Sequence, residues 1–448
     1  MKKRDLVIIG GGPAGYAAAL RAAACKQKVT LIEKKGLGGT CLFSGCIPTK
    51  IIIHHLKLFS KIKSKENFGI KVDSINFSLK QLLRKKNEKI NSLSQGIENL
   101  FKKNKIDFTL GEAVLSGGGQ IKINDQILKA QKIILAPCST PVIPANFSYD
   151  LKNVITSSEA LNLEEIPRKI IVIGAGAVGV EWATIFALLG SEVILIEALE
   201  QILPGVDSEI VRQLSRQFEK QKIKIVTNAF VENVKVSDHQ SVRVLLKSGE
   251  IFEAEKVSIA LGRQGNIPAT ENFKFKEING YLAVDKNLQT SEPNIFAAGD
   301  ITGPPLLAHR ASFQGKKLAE FLSGEIPKIP AAPIPFCIFY FLEIGSVGLT
   351  QKEAEEKNLN FGIVRLPFGT LGIAQALEES EGLVKVIFEK PTKKILGIHI
   401  AGEYASFVLG QAVILINIGG TLETLNNLVQ AHPTFSEILG SLPEFNWA

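Results

Sequence analysis

The sequence predicts an α/β chain of two Rossmann-like dinucleotide-binding folds followed by a smaller C-terminal α+β unit. Three observations carry this. Residues 6–9 form a short apolar run that leads straight into a G-x-G-x-x-G turn at Gly10, Gly12 and Gly15. The same arrangement returns 164 positions on, where residues 170–173 lead into Gly174, Gly176 and Gly179. A proline-rich stretch, 326–335, then sets the last part of the chain apart.

Composition agrees with a folded enzyme-like chain. The 448 residues are enough for two to four domains. A hydrophobic share of 45% with 21% charged residues excludes a disordered or fibrous class. No apolar run reaches the ~18 residues of a membrane span. The basic N-terminus ahead of residues 6–9 resembles a leader, but its apolar run ends in the glycine turn. No cleaved segment and a cytoplasmic location are therefore expected. The net charge of +8 owes much to lysines at 57–105, which alternate with Ile and Leu as on the solvated faces of amphipathic helices. A nucleic-acid partner would need a basic patch joined to a recognisable module, and none is legible.

In chain order, the first fold reads strand, glycines, helix through Ala24, and a second strand over 29–33 that ends on Glu33. That order turns a weak motif into a dinucleotide fingerprint. The glycines permit close backbone approach, the helix N-terminus carries the pyrophosphate charge, and the acid accepts from ribose hydroxyls.

The stretch 36–50 follows, with Cys41 and Cys46 among glycines. On an ideal helix residues five apart stand roughly 8–9 Å apart, beyond the ~7 Å limit for a disulfide. A bridge would need a distorted helix start, which Gly38, Gly39 and Gly45 allow. A small strained loop of this kind suits a disulfide that opens and closes. A structural disulfide, or inert thiols, is the plainer alternative. A zinc site would need four ligands, and no second close cysteine pair exists. No metal is expected.

Beyond a β-rich stretch at about 106–145, the second fold runs from 170–173 through a helix to Leu189 and a strand over 193–197 that ends on Glu197. A carboxylate there suits a free ribose diol and repels a 2′-phosphate. With no arginine at 198–200, the sequence favours NAD over NADP. Residues 294–300 read as a buried strand ending in a Gly-Asp turn, which puts Asp300 where α/β folds bind ligands.

These landmarks, together with 36–50, Leu307-Ala-His309 and His432-Pro-Thr-x-x-Glu437, resemble the pyridine nucleotide–disulfide oxidoreductases over nearly the whole chain. The likeness is greatest to the members that oxidise dihydrolipoamide. It implies FAD on the first fold, held by Gly10, Gly12, Gly15, Glu33, Lys50, Asp300 and Ala308. It implies NAD on the second, held by Gly174, Gly176, Gly179, Glu197 and Gly262. The implied domains are 1–149 and 276–326 for FAD, 150–275 for NAD, and 327–448 for dimerisation.

By the same resemblance Cys41 exchanges with the substrate dithiol and Cys46 faces the flavin. Lys50 pairs with Glu181 near the flavin's reactive nitrogen. His432, oriented by Glu437, is the base contributed by the partner subunit of a homodimer. The implied reaction oxidises protein-bound dihydrolipoamide and reduces NAD. The implied partners are the lipoyl domains and acyltransferase core of 2-oxo acid dehydrogenase complexes. Thiol exchange does need a base near neutrality, and histidine with a carboxylate behind it meets that need. The alternatives are another FAD-dependent disulfide reductase, of glutathione or mercuric type, and a non-catalytic flavoprotein.

Five details stand apart. His309 is expected beside the flavin, and Cys25, Cys138 and Cys337 are expected to be inert buried thiols. The usual Ala-Thr-Gly-Ser is Ala136-Pro-Cys-Ser139, and the usual Gly-Arg-x-Pro-Asn is Gly262-Arg-Gln-Gly-Asn266. At Phe341-Leu-Glu343 an expected proline is absent.

Overall fold

The computed structural model describes residues 2–64, 69, 72, 74–124, 126–237 and 241–441. The two glycine motifs sit in superimposable surroundings. Strand β1 (Lys2–Ile9) leads through the first turn into helix α1 (Pro13–Ala24) and strand β2 (Val29–Glu33). Leu6 stands opposite Val29, and 164 positions on Ile170 stands opposite Val193, both pairs parallel. Gly10 N–H donates to the Ile32 carbonyl at 2.8 Å, and Gly174 N–H to the Ile196 carbonyl at 2.8 Å. The repeat thus extends from the motif to the hydrogen bonds.

The first sheet runs Asp107–Leu110, β2, β1, Gln126–Leu135 in parallel, then continues antiparallel through Gln120–Ile123 and Ala113–Gly117. The C-terminal half of Gln126–Leu135 also pairs with Ile295–Ala297, a strand reached only after the second fold is complete. The second sheet has five parallel strands, in the order Lys224–Val226, Glu192–Ile196, Lys169–Ile173, Lys256–Ile259, Val154–Thr156. Central strands such as Lys169–Ile173 are buried on both faces, which explains their unbroken Ile/Val runs. Residues 326–335 form no helix or strand. After them comes a five-stranded antiparallel sheet, against which the helix Ala405–Asn417 packs. Phe407 and Ile414 stand exposed on that helix, as does Ile418 at its C-cap, and Val429 is fully exposed beyond it.

The cysteine stretch forms two helices, α2 (Gly39–Phe43) and α3 (Cys46–Ser64), interrupted at Ser44 and Gly45. Gly38 and Gly39 take φ of 133° and 60°, conformations that favour glycine. The expected distortion of the helix start is therefore a complete break, which puts the two cysteines on different helices. The lysine-rich region becomes the rest of α3 and a long helix α4 (Leu79–Lys103), whose Ser78 side chain caps its start.

Buried polar contacts tie the units together. Lys385, fully buried on the strand Gly382–Glu389, holds both oxygens of Asp207 at 3.1 and 2.9 Å and Glu209 at 2.9 Å. Lys86 of α4 donates to the Leu161 carbonyl at 2.6 Å, and burial pushes its pKa down.

Candidate active site

One cavity of about 210 Å³ gathers six of the site residues singled out in the sequence. Its wall holds Cys41, Cys46, Lys50 and Glu181, with Asp300 and Ala308 on the side of the returning segment. Pro13 and Ala14, the first turn of α1, reach it from one glycine motif, and Ala177 and Val178 reach it from the other.

Why each is there follows from local structure. Cys46 is the first residue of the 19-residue α3, where the positive end of the helix dipole favours a thiolate. Its pKa is lowered to about 7, chiefly by the hydrogen bond from Cys41 and further by the charge of Lys50, against the opposing effect of burial. That hydrogen bond and burial raise the Cys41 thiol. Both stand as free thiols, each partly buried.

Lys50, one helical turn along α3, places Nζ 2.7 and 2.8 Å from the two Glu181 oxygens. Glu181 comes from the helix Ala177–Leu188 that follows the second glycine turn. It also accepts from Phe339 N–H at 3.2 Å, and the Phe339 ring lies 4.9 Å under Lys50 Nζ.

The two motif acids occupy equivalent posts. Glu33 Oε2 accepts from Gly11 N–H at 2.7 Å, and Glu197 Oε2 accepts from Ala175 N–H at 2.7 Å. Each carboxylate therefore clamps its own glycine turn.

The cradles can be tested for a dinucleotide through the glycines. A Cβ on Gly15 would lie 1.8 Å from the Gly10 carbonyl oxygen, and one on Gly179 would lie 1.8 Å from that of Gly174. Only glycine lets the helix start so close to the strand end. Gly12 and Gly176 are N-caps with no side-chain cap hydrogen bond, so neither cap residue takes up the first-turn amides of its helix. Around Gly176 a Cβ would meet nothing within 4 Å, which leaves room for a phosphate. Both sites fit a dinucleotide's phosphates, although the first also carries the Cys138 sulfur near Gly12.

Other expected residues lie elsewhere. His432 Nδ1 is 2.8 Å from Glu437 Oε1, and Glu437 Oε2 accepts from Thr434 N–H at 2.8 Å. The His432 bond lowers the Glu437 pKa. This pair stands on the C-terminal unit and is not part of the wall of its own chain's cavity. Gly262 has φ 96° and is also outside the wall. His309 is exposed, bonds the Pro335 carbonyl at 2.7 Å and is not itself part of the cavity wall. Cys138 and Cys337, expected to be inert core thiols, both line the cavity, and burial pushes Cys337 up to about 12.

Sequence reasoning missed a polar relay behind Asp300. Arg263 Nε donates to Ser139 Oγ at 2.8 Å, and Ser139 Oγ donates to Asp300 at 2.7 Å. The two partners are 124 positions apart. The signal was that Arg263 and Ser139 both fall inside the atypical motifs.

Paired dinucleotide cradles opening on one dithiol define an oxidoreductase of the flavin-and-disulfide type. The chain belongs to the pyridine nucleotide-disulphide oxidoreductases, matching that family over residues 4–315 and its dimerisation domain over 334–443. Among its relatives is the dihydrolipoyl dehydrogenase of Chlamydia pneumoniae, 37% identical over 97% of this chain and 95% of that one. The mitochondrial dihydrolipoyl dehydrogenase 1 of Arabidopsis thaliana is 35% identical over 98% of this chain and 89% of that one. A leghemoglobin reductase of Glycine max is 34% identical over 97% and 86%. Among solved structures, the HOCl-induced flavoprotein disulfide reductase of Escherichia coli matches with a TM-score of 0.88 at 26% identity, covering 98% of this chain and 99% of that one.

Proposed function

We propose that this enzyme is a dihydrolipoyl dehydrogenase, oxidising protein-bound dihydrolipoamide to lipoamide through Cys41 and Cys46 with NAD as the final acceptor. The observation that carries the reading is the shared cavity: the cysteine pair, the Lys50–Glu181 bridge and the amino ends of both glycine-turn helices line one wall.

Bound FAD and NAD would supply the hydride and electron transfer that no side chain can perform. Gly10, Gly12, Gly15, Glu33, Lys50, Asp300 and Ala308 would hold the first, and Gly174, Gly176, Gly179, Glu197 and Gly262 the second. What the chain does itself is thiol exchange. A substrate thiolate attacks Cys41 Sγ of the oxidised pair, forming a mixed disulfide and expelling the Cys46 thiolate. The lower pKa of Cys46 supports this direction, because the more acidic thiol is the better leaving group. The second substrate thiol then attacks the mixed disulfide at the substrate's own sulfur. Oxidised lipoamide leaves, Cys41 is released, and both electrons rest on the cysteine pair.

The substrate's protons need an acceptor. His432 suits that role, with Glu437 fixing its tautomer at 2.8 Å. A second copy would have to bring it to Cys41, and the exposed apolar helix face at Phe407, Ile414 and Ile418 supports a homodimer. Within each copy we assign 1–149 and 276–326 to the flavin domain, 150–275 to the NAD domain and 327–448 to the interface. The partners proposed are the lipoyl domains and acyltransferase core of a 2-oxo acid dehydrogenase complex. Among the described residues no helix is long and apolar enough to cross a membrane. Residues 6–9 lie in strand β1 of the first fold, and the location proposed is cytoplasmic.

The test is thiol counting. Dihydrolipoamide added to the oxidised, FAD-loaded protein without NAD should convert Cys41 and Cys46 from a disulfide to two alkylatable thiols. An unchanged pair would contradict the reading.

A further inference from the structure

Cys138 stands where the chain's own geometry asks for glycine. Its φ is 62°, the left-handed region in which a side chain is strained. The backbone cannot relax. Asn266 N–H holds the Cys138 carbonyl at 3.1 Å, Asn266 Nδ2 holds that of Pro137 at 3.0 Å, and Ser139 is fixed by Asp300. Such strain persists only where the surroundings over-determine it.

The side chain points into the first cradle. Its sulfur lies 2.6 Å from where a Cβ on Gly12 would be, and 3.1 Å from that of Gly39. Gly12 is the N-cap of the 12-residue α1. Burial raises the Cys138 pKa, and Thr40 beside it works in the opposite direction. Around Gly176, the counterpart in the second cradle, nothing intrudes. The cradles match in every strand register described above, and this sulfur breaks the match.

We propose that Cys138 is a wall of the flavin cradle that loosens the protein's hold on FAD, making the flavin exchangeable where a glycine would hold it tightly. The proposal rests on the reading that FAD occupies the first fold. A neutral sulfur is a poor partner for a phosphate oxygen, being only a weak hydrogen-bond donor. It fills space that main-chain N–H groups would otherwise offer to the anion. Bound flavin should in turn shield the thiol from reagents.

The experiment compares FAD-free and FAD-loaded protein. N-ethylmaleimide modification of Cys138 is followed by peptide mass spectrometry, and flavin affinity is measured by fluorescence in the wild type, Cys138→Gly and Cys138→Ala. Modification should be slowed at least tenfold by bound FAD. Both variants should bind FAD about tenfold more tightly; the alanine form keeps the backbone strain and so isolates the sulfur. Equal modification rates with and without bound FAD would overturn the proposal and leave the enzymatic reading intact. So would tighter binding in the glycine form alone. A wild type that takes up no FAD would overturn the enzymatic reading, and this proposal with it.

Discussion

Lys50 Nζ bridges both oxygens of Glu181, at 2.7 and 2.8 Å, across 131 positions of sequence. The bridge joins the helix that carries Cys46 to the helix that opens the second cradle. It also puts a positive charge beside a thiol whose pKa is lowered to about 7.

Replacing Lys50 with Met removes that charge and leaves Glu181 unpartnered, with its side chain only 9% exposed. One-sided loss of a fully buried pair costs about 3–5 kcal/mol; with Lys50 itself 30% exposed, about 2 kcal/mol is expected here. Thiolate absorbance of the reduced protein should titrate about one pH unit higher than in the wild type. An unchanged midpoint would separate Lys50 from Cys46.

Cys46 also predicts a pH window for stability. Its folded pKa, about 7, lies below the ordinary thiol value of 9.0. The stabilisation from its thiolate is therefore complete above about 9 and is lost as the pH falls through about 7. Denaturant midpoints of the reduced wild type should rise between pH 7 and 9 relative to Cys46→Ser. Parallel curves would contradict the shift.

His432 and Glu437 are bonded to each other yet absent from the wall of their own chain's cavity. If a second copy supplies them, Cys41→Ser and His432→Gln are each inactive alone. His432→Gln should lower kcat about 10²–10⁴-fold. Unfolded together and refolded, the two variants should recover about a quarter of wild-type activity, from the one intact site of each mixed dimer. No recovery, with mixed dimers present, would place the base within one chain.

Lys385 has no exposure, and its partners Asp207 and Glu209 belong to the second fold. Lys385→Met should destabilise the protein by about 3–5 kcal/mol, because buried Asp207 loses its counter-charge and Glu209 keeps only Arg365. Thermal unfolding measures this. Glu209 is lowered to about 2, first by the Arg365 hydrogen bond. Its share of the stability is complete above about 4.5 and fades as pH falls through about 2.

Much of this was legible because strands, glycine turns and terminal acids are local signals with a fixed order. The repeat at 164 positions gave both cradles, and the spacing of Cys41 and Cys46 among glycines anticipated a break that is now seen at Ser44 and Gly45. Contacts between distant segments were not legible. Nothing local ties Lys385 to Asp207, or Arg263 through Ser139 to Asp300, because each link depends on how separate sheets pack. The same holds for Cys138. Its neighbours in sequence mark it only as unusual, and its aim at Gly12 appears only when strand ends from three segments meet.

The most direct test is NADH formation, followed at 340 nm, by the FAD-loaded protein given dihydrolipoamide and NAD, with NADP in a parallel assay. Rapid turnover with NAD, far slower turnover with NADP, and loss of both in Cys41→Ser are the expected results. A flavin-loaded dimer that produces no NADH from dihydrolipoamide would contradict the central claim.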